Sequence, residues 1–352
     1  MKLQQKWPLP SRPKPIFLVG AGGIVRDAHL PAYQKAGYRV CGVTDVAVER
    51  ARSLSAEQPV GEVFPRLEDA VSKFGTEVVY DLATPPDAIA EILSALPDGA
   101  AVLMQKPMGA DLKDARQILS ICREKELTAA VNFQLRFSPM MLAAADLMRQ
   151  GQMGDLLEIE VQVNIFTPWH MFPFLKTMDR VEIAVHSIHY LDLIRSLVGD
   201  PAGVFARTMR DPRAPDYAQT RTSAILDYGQ DLRVLVNTNH NHRGGNDFQV
   251  ARFRFEGSEG SMFVKLGVLY DYPNGAKDEL WFCPNGGDWV SVDLQGSWFP
   301  DAFIGVMSNL QRFASGEDDV LHTRVEDAFR TMALVEACYE ANKASATPLA
   351  ED

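Results

Sequence analysis

The chain has 352 residues, 46% of them hydrophobic and 23% charged, a composition typical of an ordinary globular protein long enough for two domains. Acidic residues outnumber basic ones by 46 to 35, and the resulting net charge of −11 argues against a nucleic-acid or anionic-membrane partner, since neither would meet an excess of cations. No apolar run approaches the ~18 residues that span a bilayer.

Residues 1–14 are rich in proline and contain neither the apolar core of a signal peptide nor a twin-arginine pair. We expect them to form an extended N-terminal arm. The four cysteines are widely spaced without a C-x-x-C pair, which indicates reduced thiols. Together these features predict a cytoplasmic protein.

Between residues 15 and 133, short apolar runs alternate with helical patterns. The runs lie at 16–20, 38–45, 77–84, 101–105 and 127–133. The helical patterns lie near 23–36, 46–56, 67–74, 86–96 and 111–126. Apolar strands separated by helices are typical of a parallel sheet covered on both faces. We therefore predict a doubly wound, Rossmann-type nucleotide-binding domain over 15–133.

Residues 134–352 have a different pattern, with long stretches of alternating apolar and polar residues that are typical of antiparallel strands. Strands are predicted at 156–166, 223–229, 232–242, 250–257 and 261–268, and helices near 138–150, 181–198, 299–314 and 322–344. The pattern predicts a second α/β domain built on a large, mostly antiparallel open sheet. We assign substrate binding and oligomerisation to it.

The stretch GAGGIV, residues 20–25, follows the first predicted strand. Glycines at such a turn let the backbone approach a pyrophosphate held at a helix N-terminus. We predict that Gly20, Gly22, Gly23 and Ile24 contact the cofactor, although Val25 leaves the G-x-G-x-x-G pattern incomplete and a simple tight turn is the alternative.

Asp45 ends the second predicted strand, where a carboxylate can bind both ribose hydroxyls of an adenosine. A solvated carboxylate at a strand end is the alternative. Because Asp45 would repel a 2′-phosphate and Val46 supplies no cation, the predicted cofactor is NAD rather than NADP.

Two further stretches end strands at the same sheet edge. Ala83, Thr84 and Pro85 lie in ATPP, and Gln105 and Lys106 lie in QKP. We assign all five to the cofactor site, and predict that the Lys106 ammonium also stabilises an alkoxide forming on the substrate. A proline-stiffened loop and an ordinary exposed lysine are the alternatives.

His186, His189 and Asp192 are spaced three residues apart in a predicted helix, so they can be neighbours. An imidazole beside a carboxylate is a reasonable proton acceptor. Histidines buried for packing alone are the alternative.

His240 and His242 share one face of a predicted strand, and two such histidine pairs could bind zinc. We predict no metal, because no cysteine or H-E-x-x-H pattern supports one. Trp169 and His170, in an aromatic loop, are predicted to face a sugar ring together with His186 and His240, and core packing is again the alternative.

Taken together, the stretches GAGGIVRDAHLPAY, VTD, ATPP, QKPMG, NFQLRFSP and HSIHYLDLIRSLVGDP resemble, in order, the motifs of the Gfo/Idh/MocA oxidoreductases. The resemblance implies a Rossmann domain that binds NAD(P). It also implies a C-terminal α/β domain whose open sheet often mediates oligomerisation, and hydride transfer at a hydroxyl of a sugar, sugar derivative or cyclitol.

Carried over by position, Lys106 matches the family lysine that binds the reacting hydroxyl. His189 matches the proton acceptor, Asp192 the acid three residues later, and Arg136 the arginine after the last Rossmann strand, which we assign to substrate binding. Two positions, Gln105 and Ile89, depart from the usual glutamate and histidine.

The most serious departure is Val185, because the family often has an aspartate four residues before the catalytic histidine. We predict that Asp192 orients the His189 imidazole and that His186 contacts a substrate hydroxyl.

The predicted function is an NAD(P)-dependent dehydrogenase acting on a small polyhydroxylated substrate, with a homodimer or homotetramer as the assembly. One alternative is an enzyme of the same fold that uses retained NAD transiently for glycoside cleavage or elimination. The other is a regulator that binds NAD and sugar without turnover.

Overall fold

The computed structural model describes residues 2–272 and 275–350. The chain divides into two compact units. The first comprises Met1–Gly151, Lys277–Leu280 and Ser291–Met332, and the second Gln152–Ala276, Trp281–Val290 and Ala333–Asp352. The predicted domain boundary at 133/134 stays a prediction.

The first unit contains a six-stranded parallel sheet in the order β3-β2-β1-β4-β5-β6. Its strands are β1 (Ile16–Val19), β2 (Val40–Thr44), β3 (Glu62–Val63), β4 (Val79–Leu82), β5 (Ala101–Met104) and β6 (Thr128–Val131). Five of the six were predicted. The two-residue β3 was not, because so short a strand has no readable periodicity.

Helices flank these strands. They are α1 (Leu30–Ala36), α2 (Val48–Glu57), α3 (Leu67–Phe74), α4 (Ile89–Ala95), α5 (Leu112–Glu124), α6 (Pro139–Arg149) and, later in the chain, α8 (Asp301–Ala314). The predicted helix at 23–36 is in two parts, since a π-helical turn, Val25–His29, precedes α1. Pro31 in the first turn of α1 has no N–H to continue the ordinary bonding, and the Leu30 N–H bonds Val25 five residues back.

The N-terminal arm has no helix or strand among its described residues. It lies against the first unit, where the Trp7 indole donates to Asp318 at 2.8 Å and packs edge-on against Phe137. The arm is therefore held by specific contacts.

The second sheet has eight strands in the order β14-β13-β12-β11-β7-β10-β9-β8. They are β7 (Leu156–Asn164), β8 (Gly203–Met209), β9 (Arg221–Asp227), β10 (Arg233–Asn239), β11 (Val250–Gly257), β12 (Gly260–Lys265), β13 (Glu279–Pro284) and β14 (Val290–Ser291). Only the β7–β10 pair is parallel among the registers described for β7 to β12, so the prediction of a mostly antiparallel sheet is confirmed.

Three of these strands, β8, β13 and β14, were not predicted. In β8 the buried positions Ala206 and Thr208 are small or polar, so its apolar alternation is weak. The remaining described α-helices are α7 (Ile188–Val198), which follows a π-helical segment Glu182–Ser187, and α9 (Val325–Ala341). Within residues 2–272 and 275–350, no helix is long and apolar enough to cross a membrane.

Candidate active site

The strand order of the first unit reverses between β1 and β4, and ligands of open parallel sheets bind beyond the carboxyl ends of the strands at such a point. The residues that follow the strands there belong to the predicted cofactor and catalytic set. In spatial order they are Asp45 after β2, Gly20 after β1, Ala83 and Thr84 after β4, and Gln105 and Lys106 after β5. Tertiary structure thus brings these predicted residues to one edge.

The glycine turn leaves room for a phosphate. Gly20 has a φ of +107°, and a Cβ there would lie 2.4 Å from the carbonyl oxygen of Ala83, so glycine is required by the fold itself. A Cβ at Gly22 would meet nothing within 4 Å, and one at Gly23 only the Asp27 carboxylate at 3.8 Å. The chain's own packing does not demand glycine at these two positions, whereas close approach of a pyrophosphate would.

Asp45 is held in place by the turn. Its Oδ2 accepts the Ala21 N–H at 2.9 Å and its Oδ1 the Ala47 N–H at 2.8 Å. Each carboxylate oxygen keeps a further lone pair for a ribose hydroxyl. Arg26, which sequence reasoning left out, donates to the Ala21 carbonyl at 3.2 Å and pairs with Glu57 at 3.4 Å, so a cation also lies beside the turn.

Two buried polar groups lie near the ends of β4 and β6. The Thr84 hydroxyl and both amide atoms of the fully buried Asn132 have no hydrogen-bond partner among the described residues. Such groups each cost about 1–3 kcal/mol unless water or a ligand satisfies them. Together with the open glycine turn and Asp45, they fit a site for a dinucleotide.

Lys106 is half-buried after β5. Burial lowers its pKa to about 8, because removal from water disfavours the charged form. The Lys106 N–H donates to the side-chain oxygen of Gln105 at 3.3 Å, and the neighbouring Lys106–Pro107 bond is cis. A lysine whose pKa lies near neutrality can both donate and accept a proton.

Arg136 lies in the short helical turn after β6. Its guanidinium donates to the His322 carbonyl at 2.9 Å and to Asp327 at 2.5 Å, all within the first unit. Burial and the charge of Arg136 lower the pKa of His322. The assignment of Arg136 to substrate binding stays a prediction.

In the second unit, the segment Glu182–Ser187 and α7 carry the predicted histidines. His189 is 8% exposed and Asp192 only 1%, whereas His186 is half-buried. The segment is π-helical, with the Ile188 N–H bonded to Ile183 five residues back, so the i, i+3 spacing from His186 to His189 is not that of a regular α-helix.

The structure brings His186 and His240 together. Their rings lie 4.2 Å apart at 32°, and Trp169 is within 6.2 Å of both. The His240 Nδ1 is 3.0 Å from the Thr167 hydroxyl. These three aromatic residues, predicted separately from distant parts of the sequence, form one cluster, which we call the imidazole cluster.

Glu182 is the residue that sequence reasoning missed. Its carboxylate is fully buried, 3.4 Å from the His240 Nε2, and accepts the Ser187 hydroxyl at 2.8 Å. Burial raises its pKa, but the polar neighbours His240, Thr222 and Ser187 outweigh this and leave the pKa below its usual value. The sequence feature that could have identified Glu182 is a single carboxylate within the apolar run VEIAV.

Val185, at the position where the resembled family often has aspartate, packs against a small apolar cluster that includes Leu175, Val181 and Tyr217. Trp169 stacks on Tyr217 at 4.5 Å and donates to Asn241 at 2.8 Å. A carboxylate at position 185 would lose water in these surroundings, which explains the apolar residue.

His170 is exposed in the same loop. Among residues 2–272 and 275–350, no group of three or more histidine, cysteine, aspartate or glutamate side chains is arranged to hold a metal ion. His242, proposed as a partner in the zinc alternative, instead lies 3.2 Å from the Asn164 amide and 3.0 Å from the Asp247 carbonyl oxygen.

Comparison with known proteins identifies both parts of the chain. Residues 14–133 match the Gfo/Idh/MocA family model described as "Oxidoreductase family, NAD-binding Rossmann fold", and residues 141–263 match the model of the Gfo/Idh/MocA C-terminal domain. A 1,5-anhydro-D-fructose reductase of Ensifer adhaerens is 25% identical over 52% of this chain and 56% of its own length. A D-apiose dehydrogenase of Paraburkholderia graminis is 24% identical over 92% of this chain and 86% of its own.

Solved structures share the fold. An oxidoreductase from Agrobacterium radiobacter, in complex with NAD⁺, L-tartaric acid and magnesium, has a TM-score of 0.76 at 20% identity over 94% of this chain and 96% of that one. The WlbA dehydrogenase of Bordetella pertussis, with NADH and UDP-GlcNAcA, has a TM-score of 0.74 at 19% identity over 96% and 97%. With family models matching both halves, this chain belongs to the Gfo/Idh/MocA family of oxidoreductases and carries its NAD-binding Rossmann fold.

Proposed function

We propose that the protein is an NAD-dependent dehydrogenase that acts on a hydroxyl-bearing carbon of a sugar, sugar derivative or cyclitol. The observation that carries the proposal is the row of Asp45, Gly20 and Lys106 at one edge of the parallel sheet, with burial lowering the Lys106 pKa to about 8. A bound NAD would supply the hydride acceptor. The substrate class is supported by the family membership and by the similarity to a D-apiose dehydrogenase over 92% of this chain.

Three groups of residues would bind the cofactor. The glycine turn at Gly20, Gly22, Gly23 and Ile24 would hold the pyrophosphate on backbone N–H groups, and Asp45 the adenosine ribose. Ala83, Thr84 and Pro85, with Gln105 and Lys106, would line the remainder. NAD is preferred over NADP in this proposal, because the carboxylate of Asp45 already accepts two backbone N–H groups and would repel a phosphate.

Each catalytic group has one task. The Lys106 ammonium would donate a hydrogen bond to the substrate oxygen and stabilise the negative charge that develops there. The His189 imidazole would accept the hydroxyl proton, with Asp192 orienting the ring. Lys106 can perform its task near neutral pH because burial brings its pKa close to the operating range without removing its charge there.

The imidazole cluster would bind hydroxyl groups of the substrate. His186 and Trp169 are half-buried, so they present polar and aromatic edges that a polyhydroxylated ring can contact. Glu182 supplies the negative charge that a valine at position 185 does not, at a place where its neighbours are polar. Arg136 and His170 complete the predicted substrate residues.

We also infer that the protein self-associates through the second sheet. Phe205, Ile225 and Leu235 lie directly opposite one another on β8, β9 and β10, and Phe205 is 70% exposed and Ile225 48%. Three large apolar side chains in register on one sheet face favour a second copy as the occupant. Light scattering should give a multiple of 39.0 kDa, and Phe205→Glu should lower it; a monomer for the unmodified protein would refute the inference.

The decisive experiment for the activity is a screen of sugars and cyclitols with purified protein and added NAD, following NADH absorbance. Net NADH formation that is lost in Lys106→Ala supports the proposal. Substrate conversion without net NADH would instead identify an enzyme that uses retained NAD transiently. Binding of sugars without any conversion would identify a regulator.

A further inference from the structure

His29 is a buried histidine to which the sequence assigned no role, and both of its ring nitrogens are engaged. It is fully buried at the end of the π-helical turn before α1. Its Nδ1 is 2.6 Å from Asp81 Oδ2, and its Nε2 is 2.6 Å from the side-chain nitrogen of Gln105. One imidazole therefore connects the interior of β4 with the residue that precedes Lys106.

The positions of the protons in these hydrogen bonds can be deduced, because some of the atoms can only donate. The Lys106 backbone N–H is a donor, so the Gln105 atom 3.3 Å away must be the amide oxygen, and the amide nitrogen must face His29. Because an amide nitrogen also only donates, the His29 Nε2 must accept. The ring proton is then on Nδ1 and is donated to Asp81, so a single tautomer satisfies every contact.

The far end of the arrangement is anchored by Tyr33. Its hydroxyl donates to the same Asp81 oxygen at 2.7 Å. Burial and the adjacent Asp81 raise the Tyr33 pKa well above its usual value, so the phenol keeps its proton. Phe303 covers the His29 ring with centroids 5.0 Å apart. The series Tyr33, Asp81, His29 and Gln105 is thus a continuous hydrogen-bonded relay, in which the first three residues are fully buried and Gln105 is half-buried.

We propose that His29 is a positioning residue: it holds the Gln105 side chain and, through it, the backbone of Lys106. The inference rests on the proposed function, in which Lys106 touches the substrate. A glutamine side chain at a strand end can rotate about three bonds, and a misplacement of ~1 Å near the reacting atoms can cost ~100-fold in rate. A buried imidazole held by Asp81 removes that freedom.

The relay also explains why glutamine stands at position 105. A glutamate would still accept the Lys106 N–H, but it has no hydrogen to offer the His29 Nε2. The ring would then need a second proton in order to donate to both carboxylates. Glutamine donates to His29 itself and accepts from Lys106, so the neutral ring completes the relay.

Two amide variants separate positioning from stability. In His29→Gln the longer side chain places an amide oxygen near the former Nε2, where it can accept from Gln105 but leaves Asp81. In His29→Asn the shorter side chain places an amide nitrogen near the former Nδ1, where it can donate to Asp81 but leaves Gln105. The bond to the charged Asp81 is the stronger one, so His29→Asn should have the higher Tm of the two.

The readout is the reactivity of Lys106 in the intact protein without cofactor or substrate. Acetylation by N-hydroxysuccinimidyl acetate, followed by peptide mass spectrometry across a pH series, should give wild-type Lys106 a midpoint near the pKa of about 8 that burial imposes. We expect His29→Gln to keep that midpoint. His29→Asn should raise it by ~0.5 pH units or more, because the released lysine regains water.

Tyr33→Phe is the control. It removes the anchoring phenol but leaves the His29–Gln105 contact, so it should lower Tm without moving the Lys106 midpoint. A midpoint that stays the same in both His29 variants, or that moves more in His29→Gln, overturns the inference.

Activity distinguishes failure of the inference from failure of the proposed function. With the best substrate of the sugar screen, kcat should fall by roughly tenfold more in His29→Asn than in His29→Gln. If Lys106→Ala retains wild-type turnover, the proposed catalytic role of Lys106 fails, whereas the acetylation midpoints still decide whether His29 positions it. If Lys106→Ala is inactive and the acetylation midpoint of Lys106 is the same in wild type and in both His29 variants, only the inference fails.

Discussion

The edge of the Rossmann sheet and the imidazole cluster of the second unit are assembled in different ways. At the sheet edge, Asp45, Gly20 and Lys106 each lie within two residues of the end of a strand, and parallel pairing lines them up. In the imidazole cluster, His186 lies before a helix and His240 at the end of a strand more than fifty residues later. The first site is thus a consequence of topology, and the second depends on side-chain packing.

The same difference appears in the charges. At the sheet edge the cation of Lys106 is partly desolvated, and its pKa falls to about 8. In the second unit the carboxylate of Glu182 is fully buried, yet its pKa falls, because its polar neighbours His240, Thr222 and Ser187 outweigh burial. Burial therefore determines the direction of the Lys106 pKa shift, whereas polar neighbours determine the direction of the Glu182 pKa shift. Substitutions in each of the two regions test this difference.

The largest effect is expected in the second unit, for His189→Ala. Loss of a general base should lower kcat by roughly 10²–10⁴, and the loss should shrink as pH rises because hydroxide takes over the proton transfer. Steady-state kinetics across a pH series measure it. His242→Ala is the matched control, since its ring bonds Asn164 and has no assigned role. Equal activity of the two variants would contradict the role of His189.

At the sheet edge, Lys106→Ala should lower kcat/KM by about 10²–10³, the usual effect of removing one group that stabilises a developing oxyanion. The Kd for NAD should hardly change, and Lys113→Ala, an exposed lysine on α5, serves as control.

The pH dependence of the activity gives a second test of Lys106, because the direction of the change can be predicted. Since the ammonium form is the one that stabilises the alkoxide, wild-type oxidation should lose its Lys106 contribution above pH 8, as burial has lowered the pKa of Lys106 to about 8. Lys106→Arg, which stays cationic, should lack that decline. If neither substitution changes the pH profile, Lys106 has no catalytic role.

Glu182→Gln tests whether the buried carboxylate serves the imidazole cluster or only the fold. The amide keeps the volume and the Ser187 hydrogen bond but removes the charge 3.4 Å from His240. We expect KM for the substrate to rise by roughly tenfold and kcat to change much less, the signature of lost uniform binding. Glu340→Gln, an exposed carboxylate on α9, is the control. A fall in kcat with KM unchanged would contradict a binding role.

Asp45→Ala addresses cofactor choice. Removing the carboxylate eliminates the repulsion of a 2′-phosphate and leaves Arg26 as the charge beside the turn. The ratio of kcat/KM for NAD over NADP should fall by at least about tenfold, or ~1.4 kcal/mol. A wild-type preference for NADP, or a ratio that Asp45→Ala leaves unchanged, would refute the assignment.

The smallest effect is on stability. Because the folded-state pKa of Lys106 is lowered to about 8, from 10.5, the unfolded chain binds more protons between these values, and wild-type stability should gain as pH rises through that window. Lys106→Met lacks the buried charge and should have a higher Tm at pH 7, by roughly 2–4 °C for each ~1 kcal/mol gained. The advantage should disappear by pH 10.5. Calorimetry of cofactor-free protein measures it, and an advantage that stays constant with pH would show that hydrophobic packing is its cause.

Much of the first unit could be predicted from the sequence, because a parallel strand buried on both faces is a nearly continuous apolar run. Five of its six strands were located, and α3 was predicted residue for residue at 67–74. The π-helical turn before α1 was not predicted, since it arises from how Pro31 alters backbone bonding. The proposed role of His29 could not be read from the sequence, because its partners Asp81 and Gln105 are 52 and 76 residues away.

The fold class and the residues at the carboxyl edge of the parallel sheet could be predicted from the sequence, because strand periodicity, turn glycines and strand-end polar residues are local signals. The order of the motifs indicated the family. Three features became visible in the folded chain alone: Glu182 lies beside His240, Val185 packs among apolar side chains, and His29 bonds the residue before Lys106. These features depend on contacts between distant segments. Burial and hydrogen bonding in such contacts set the charge and orientation of a side chain, and no local pattern encodes them.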